Sequence, residues 1–200
     1  MSTGLEDGLR ASGDWLGAAM IVRWQDAGFL FAGKVTDDCL QLSGIGGKVE
    51  SGESFEQAAR REVLEETGTG VSRLWDVGHC QPLGETAPGQ AFPRHAAAFH
   101  NARPPSHPTG GRLWIAIFVG ELADHPRPVE KVTNFVLVPP AGLARIELDG
   151  LLLLDHGRPT PARPNLPSEV RQVSQVDTAR AVFGQPGLLD RWWSSIERSG

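Results

Sequence analysis

Short apolar runs and one amphipathic stretch alternate along this chain. The apolar runs predict strands, and they lie both before and after the stretch that predicts a helix. That order favours the α/β class, with a mixed β-sheet and helices packed on its faces as an α/β/α sandwich. Pro139 and Pro140 end the last clear strand. The predicted strands span residues 18–24, 29–32, 39–42, 74–83, 112–119 and 134–138.

The predicted helix has both of its ends marked in the sequence. Ser54 with Gln57 three residues later is a capping-box signature, and Gly68 is a helix stop. The helix should therefore run from about residue 55 to about residue 67. An apolar stripe at four-residue steps predicts its buried face, which is formed by Phe55, Ala59 and Val63.

Three glutamates share another face of this helix, since Glu62, Glu65 and Glu66 stand at i, i+3 and i+4. Like charges at this spacing repel by roughly 0.2–0.5 kcal/mol per pair. A cation between them would remove the repulsion, and Mg²⁺ is held in proteins by a few carboxylates together with substrate phosphates. Arg61 can orient one carboxylate by a bidentate contact. The alternative is a solvated acidic face, which the preceding glycines and the arginine disfavour.

The helix and the turn before it resemble a known signature, the Nudix box of the Nudix hydrolases. The resemblance runs from Gly47 to Thr69, where Thr69 replaces the usual aliphatic residue. Ile45 stands where a proline often precedes the glycine pair. The matching positions are Gly47, Glu53, Arg61, Glu62, Val63, Glu65, Glu66 and Gly68.

The resemblance implies a hydrolase that depends on Mg²⁺ or Mn²⁺ and cleaves the diphosphate linkage of a nucleoside diphosphate joined to another group. It also assigns roles by position. Arg61 is implied as the orienting partner, and Glu53, Gly47 and Gly68 are implied as structural residues of the motif. The implied metal ligands are the carboxylates of Glu62, Glu65 and Glu66 and the backbone carbonyl of Gly46.

The general base is where this chain departs from the family. Many members resembling it place a glutamate just before the strand that begins here at Asn134, and an amide is not a base at neutral pH. Glu130, Glu85 and Glu65 are the candidates. We favour Glu65, with Glu130 assisting, because a helix fixes the position of Glu65 whereas the other two lie on connections of unknown path.

A long connection from residue 84 to residue 111 contains arginine, histidine and proline. Connections of this length are usually functional or disordered. As a substrate lid it would bring Arg94 and His95 to phosphate and let Phe92 or Phe99 stack on a base. A mobile insertion is the alternative.

The two ends of the chain differ in character from the predicted hydrolase domain at residues 14–150. Residues 1–13 are polar and glycine-rich, which predicts a flexible N-terminus. Residues 151–200 form a C-terminal extension, with a short edge strand at 151–154 and a proline-rich linker at 159–167. A terminal helix is predicted to pack on the same domain, although a homodimer contact stays open. Its apolar residues are Leu188, Leu189, Trp192, Trp193 and Ile196.

Composition limits the partners of the protein. Across 200 residues the net charge is −5, which gives no general attraction to a nucleic-acid backbone and favours a small nucleotide substrate. The apolar run at 15–22 is too short to span a membrane, and we expect no signal peptide. Cys39 and Cys80 lack CxxC spacing, which favours reduced thiols in a cytoplasmic protein.

Three functions compete at this point. The leading one is the Mg²⁺-dependent hydrolase, acting on a nucleotide sugar, an ADP-ribose-like compound or a nucleoside triphosphate. A nucleotide-binding or regulatory module without turnover is the second, and the intact glutamate cluster speaks against it. An isomerase of isoprenoid diphosphates shares the fold but needs a catalytic cysteine, for which only Cys39 and Cys80 are available.

Overall fold

The structure is a computed structural model that describes residues 4–24, 28–76, 80–85, 89–102, 111–127, 129, 134–139, 146–155, 158–161 and 166–175. Within these ranges the chain forms two α-helices, one 3-10 turn at Leu148–Gly150 and a mixed sheet. The helices are α1 (Gly4–Ala11) and α2 (Phe55–Thr67). The strands are β1 (Trp15–Trp24), β2 (Gly28–Thr36), β3 (Cys39–Ser43), β4 (Ile45–Lys48), β5 (Val71–Leu74), β6 (Gln81–Leu83), β7 (Ala98–Ala102), β8 (Leu113–Leu122), β9 (Asn134–Val138), β10 (Leu152–Asp155), β11 (Arg158–Pro161) and β12 (Gln172–Gln175).

The sheet is built around β1. Along one edge β1 pairs in parallel with β8, from Trp15 opposite Leu113 to Arg23 opposite Glu121. Its other edge is shared by two antiparallel partners, with β4 beside residues 17–20 and β2 beside residues 22–24. The strand order is β11-β10-β9-β2-β1-β8-β7-β6. The predicted mixed sheet is thus confirmed.

Apolar residues pack on both faces of this sheet. Met20 and Val22 of β1 belong to the core layer that contains α2, whereas Ile21 between them belongs to the opposite layer. This division follows from the two-residue period of a strand, which sends successive side chains to opposite faces. The predicted apolar stripe of α2 is fully buried in the first layer.

Helix α2 begins and ends where its local signals predicted. The side chain of Ser54 accepts a hydrogen bond from Gln57 N, and the Gln57 side chain accepts one from Ser54 N, which completes the capping box. Gly68 adopts the left-handed conformation with φ 67° and donates its N–H to the carbonyl of Leu64. The sequence-based bounds of 55 and 67 are therefore confirmed.

The expectation of a flexible N-terminus over residues 1–13 is wrong for residues 4–11, which form α1. Leu5 and Leu9 pack against the core layer that contains α2, and Glu6 is only 1% exposed. Two apolar residues in a glycine-rich stretch give a weak local signal. Packing against the sheet therefore determines this helix.

The connection at 84–111 is also more ordered than predicted, because residues 98–102 form β7 and pair with β8. Phe99 is fully buried and stacks on Trp114 with ring centroids 5.0 Å apart. Phe99 is therefore a core residue, and its predicted role in stacking on a base is wrong. Phe92 is 38% exposed and contacts the edge of Phe99.

Part of the C-terminal extension completes the sheet. The predicted strand at 151–154 is present as β10, but it lies between β9 and β11 and is not an edge strand. Residues 159–161 of the predicted linker belong to β11, and residues 172–175 pair in parallel with β3. The predicted terminal helix and Glu130 lie outside the described residues. In the described part of the chain, neither helix has the length and apolarity needed to cross a membrane.

Candidate active site

A cleft of about 600 Å³ opens where β4 meets β1 and α2. Its floor comes from residues 15–19 of β1 and from residues 46–48 of β4, which pair with each other. Ser43 and Gly44 come just before β4, and Leu113 and Ile115 of β8 form a further apolar wall. Glu66 is the acidic side chain that α2 contributes. A carboxylate, four glycine backbones and an apolar wall therefore share one concave surface.

Arg61 organises the acidic side of this site. Its Nε and Nη2 donate to the Glu53 carboxylate at 2.8 and 3.2 Å, and Nη2 also donates to the carbonyl of Lys48 at 2.9 Å. Its Nη1 donates to Glu62 at 2.8 Å and to Glu65 at 2.9 Å. One guanidinium thus holds three carboxylates and the end of β4 together. The role of Arg61 as the orienting partner of metal ligands, which the resemblance implies, stays a prediction.

The hydrogen bonds between Arg61 and Glu53 shift the pKa values of both side chains. Donation from Arg61 holds the pKa of the Glu53 carboxyl below its usual value, against a smaller opposing effect of burial. The same hydrogen bond, with further help from Glu62, raises the pKa of the Arg61 guanidinium. Glu53 is therefore a fixed anion at neutral pH, which is consistent with the structural role that the resemblance implies.

The glycine pair gives the acidic helix room to approach. A Cβ added to Gly47 would lie 2.5 Å from Cδ and 2.7 Å from Oε2 of Glu62, so this carboxylate packs directly on the Gly47 backbone. A Cβ on Gly46 would lie 2.6 Å from the Cα of Ala19 on the neighbouring strand. Both positions need glycine for close approach and not for an unusual φ.

The carboxylate oxygens of the glutamates and the carbonyl oxygen of Gly46 fit a hard divalent cation. Glu66 and Gly46 line the same cleft, with Oε2 of Glu66 buried there. The Glu62 carboxylate lies on the Gly47 backbone next to them. Among the described residues no three acidic, histidine or cysteine side chains already form a metal-ligand cluster. Arg61 holds Glu62 and Glu65 instead, which offsets their mutual repulsion.

The other predicted site residues lie apart from the cleft lining. His95 places Nδ1 3.4 Å from Oε2 of Glu56 in the first turn of α2, and Arg94 beside it is exposed. Glu85 is exposed and pairs with Arg112 at 3.2 Å. Neither Arg94 nor His95 is among the described residues that line the cleft. Their predicted role in substrate binding stays a prediction.

Three residues in the cleft lining or next to it in the chain were not predicted from the sequence. Trp15 and Lys48 both line it, and Trp15 is 42% exposed. Asp14 holds the adjoining strand ends together, because its carboxylate accepts from Arg112 N and from Trp114 Nε1, each at 2.8 Å. The position of Lys48 directly after the glycine pair was a usable signal. Trp15 and Asp14 acquire their importance only through the pairing of β1 with β8.

Comparison with known proteins identifies the family. A family model described as the NUDIX domain matches residues 16–149, which is more than half of the chain. The chain therefore belongs to the Nudix family, whose members generally act on small nucleotides as pyrophosphohydrolases with a divalent metal.

Two curated relatives match over shorter stretches. The chain is 52% identical over 46 residues to an oxidized purine nucleoside triphosphate hydrolase of Danio rerio, a match that covers 22% of this chain and 30% of that protein. It is 54% identical over 37 residues to the protein of the same name from Mus musculus, covering 18% and 24% of the two chains. Each match thus spans less than a third of the relative.

Solved structures of Nudix proteins also resemble this chain. The MutT protein from Methanosarcina mazei Go1 has a TM-score of 0.45 at 18% identity, covering 66% of this chain and 82% of that one. A NUDIX family hydrolase from Clostridium perfringens has a TM-score of 0.46 at 15% identity, covering 67% and 86%. Similarity at this level carries no inference about function.

Proposed function

We propose that this protein is a Mg²⁺-dependent pyrophosphohydrolase that cleaves the diphosphate linkage of a nucleoside diphosphate derivative. One observation carries the proposal. Arg61 holds Glu53, Glu62 and Glu65 beside a cleft that Glu66 lines. Four carboxylates around a single arginine leave excess negative charge beside the cleft, and a cation with a phosphorylated ligand explains this better than fold stability does.

The residues divide into ligands and supports. Glu62, Glu65, Glu66 and the Gly46 carbonyl would hold Mg²⁺ or Mn²⁺, and Arg61 would orient two of these carboxylates. When bound, the cation would neutralise phosphate oxygens, lower the pKa of an attacking water and stabilise the leaving group. Of the two proposed metal ligands that Arg61 contacts, Glu65 is the more accessible, with 46% side-chain exposure against 15% for Glu62. This exposure suits the role of general base, with Glu130 assisting as the sequence predicts.

The cleft suits a nucleotide. Trp15, Leu113 and Ile115 offer an aromatic and apolar wall for a base, and Lys48 adds a cationic side chain at the end of β4. Among nucleotide sugars, ADP-ribose-like compounds and nucleoside triphosphates, we favour a nucleoside triphosphate. The support is the shared name of the two curated relatives, to which short stretches of this chain are more than half identical.

The two cysteines argue against the alternative hypothesis of an isoprenoid-diphosphate isomerase. Burial raises the pKa of the Cys80 thiol to about 12, so it stays protonated at neutral pH. The Cys39 thiol lies 3.1 Å from the hydroxyl of Ser174. Neither cysteine is among the described residues that line the cleft. Both thiols are free, which agrees with the proposed cytoplasmic location.

A substrate panel tests the proposal. Nucleoside triphosphates with ordinary and oxidized purines, ADP-ribose and a nucleotide sugar would each be incubated with Mg²⁺, with Mn²⁺ and with excess EDTA. Released nucleoside monophosphate, phosphate and pyrophosphate would be measured. We expect metal-dependent hydrolysis, with nucleoside monophosphate and pyrophosphate released from a triphosphate. Turnover that persists in EDTA would contradict the proposal.

Matched variants separate an enzyme from a binding module. Glu62→Gln and Glu66→Gln should each lower kcat by about two orders of magnitude or more, because each removes a metal ligand. Glu56→Gln is the control, since Glu56 lies on the same helix but pairs with Arg60 and His95. Equal rates in all three variants would show that the cluster does not act in catalysis.

A further inference from the structure

Helix α1 contacts the loop that leads into the acidic helix. Nη2 of Arg10 donates to the carbonyl of Glu50 at 2.5 Å and to the carbonyl of Glu53 at 3.3 Å. Both carbonyls belong to residues 49–54, which join β4 to α2. A side chain some forty positions earlier in the sequence therefore fixes this loop from outside.

A second residue of α1 reaches the start of α2. Glu6 is only 1% exposed, and its Oε1 accepts a hydrogen bond from Phe55 N at 2.9 Å. The first amides of a helix have no acceptor within the helix, and a carboxylate at this end is favourable to the helix dipole. Glu6 therefore determines where the first turn of α2 lies relative to α1.

Arg61 holds the same loop through a different part of Glu53. The Glu53 carboxylate accepts from Arg61, while the Glu53 carbonyl accepts from Arg10. Arg61 then donates to Glu62 and Glu65. A continuous set of hydrogen bonds thus runs from α1 through Glu53 to two of the proposed metal ligands.

Helix α1 is itself anchored without these bonds. Leu5 and Leu9 pack against the core, and Asp14 N donates to the carbonyl of Leu9 at 3.2 Å across the turn into β1. Loss of the Arg10 hydrogen bonds would therefore release the loop while α1 stays in place. The helix has the attachment needed to act as a fixed support.

We propose that Glu6 and Arg10 are positioning residues for the metal centre, and that α1 holds the loop at 49–54 so that Arg61 presents Glu62 and Glu65 to the cation. The inference rests on the proposed function, since it assigns a purpose to residues outside the motif. By this inference α1 positions the proposed metal ligands in addition to packing on the sheet.

The test compares Arg10→Met with Arg60→Met. Both variants remove one arginine charge and keep an unbranched apolar stem, but Arg60 pairs with Glu56. Amide hydrogen exchange in metal-free protein reports on the loop. Mn²⁺ titration followed by electron paramagnetic resonance reports metal affinity without any substrate. Thermal unfolding shows whether each variant is folded.

We expect Arg10→Met to speed exchange in residues 49–55 and to weaken Mn²⁺ binding by up to about tenfold, the lower end of the loss caused by removing a direct partner of a metal ligand, because Arg10 acts through Glu53 and Arg61. The Mn²⁺ affinity of Arg60→Met should stay within about twofold of the wild-type affinity, because within the described ranges Arg60 contacts none of the proposed metal ligands. Arg10→Lys, which keeps a donor, should restore part of the affinity. A Glu6→Gln variant, which keeps an acceptor, should weaken Mn²⁺ binding less than Glu6→Ala.

Two results would overturn the inference while leaving the proposed function intact. One is unchanged exchange in the loop of Arg10→Met relative to Arg60→Met. The other is a lower melting temperature with unchanged Mn²⁺ affinity, which would make α1 a purely structural element. A wild-type protein that binds no Mn²⁺ would instead overturn the proposed function and the inference together, so the two failures are distinguishable.

Discussion

Arg61 and Glu53 form a two-point contact, in which Nε and Nη2 of the guanidinium donate to Oε1 and Oε2 of the carboxylate at 2.8 and 3.2 Å. Glu53 comes just before α2 and Arg61 lies two turns inside it. The contact therefore fixes the guanidinium relative to the loop and leaves Nη1 for the carboxylates of Glu62 and Glu65. The planar guanidinium is required, because a lysine ammonium cannot bind both oxygens of Glu53 and still reach Glu62 and Glu65.

Arg61→Lys should therefore lower kcat by about 10- to 100-fold, the usual effect of losing a partner of a metal ligand. The positive charge remains, so any loss reports geometry and not net charge. Steady-state rates at saturating metal measure this effect. Arg60→Lys is the matched control on the same helix, and similar losses in both variants would contradict a special role for Arg61.

The Glu53 carboxyl makes stability depend on pH. Its pKa in the folded protein lies below the usual 4.5, chiefly because of the hydrogen bond from Arg61. A lowered folded pKa contributes stability above the unfolded value, and that contribution is lost as the pH falls through the folded value. The free energy of unfolding of metal-free wild type should therefore fall below about pH 4.5 more steeply than that of Glu53→Gln. Urea titrations from pH 6 downward would measure both, and parallel curves would contradict the assignment.

Gly47→Ala should damage the site more than the fold. The new Cβ would meet the carboxylate of Glu62, which is the far end of a flexible side chain and can swing away. We expect a loss of about two orders of magnitude in kcat from displacing a proposed metal ligand, with a small change in melting temperature. Gly70→Ala is the control, because no described atom lies within 4 Å of a Cβ at that position. An active Gly47→Ala protein would show that Glu62 need not lie against this backbone.

Asp14 should matter for stability. Asp14→Ala removes the acceptor of the Trp114 indole, a residue that is only 5% exposed, and of the Arg112 amide. Leaving a buried donor without its acceptor costs about 1–3 kcal/mol in the free energy of unfolding. Asp14→Asn keeps one acceptor oxygen and should lose less. Urea unfolding midpoints would compare the two, and equal losses would mean that only one of the hydrogen bonds contributes.

The sequence by itself determined α2 and the order of the chemical groups on it. The capping box, the left-handed glycine and the spacing of the glutamates are local features within residues 54–68. Local features fix backbone conformation and side-chain direction without knowledge of the rest of the chain. The main strands were predictable for a related reason, since short alternating or continuous apolar runs bounded by turn residues favour an extended chain buried in a sheet.

Only the tertiary structure decided what surrounds that helix. The register of β1 against β4 and β8 brings Trp15 and Lys48 to one cleft and places Asp14 beside Trp114. Helix α1 has a weak pattern of its own and is stabilised by the layer on which it packs. Phe99 looked available for a ligand until β7 paired with β8 and buried it. These contacts join residues far apart in sequence, and such pairings depend on which faces the whole sheet can bury together, a property that no local pattern encodes.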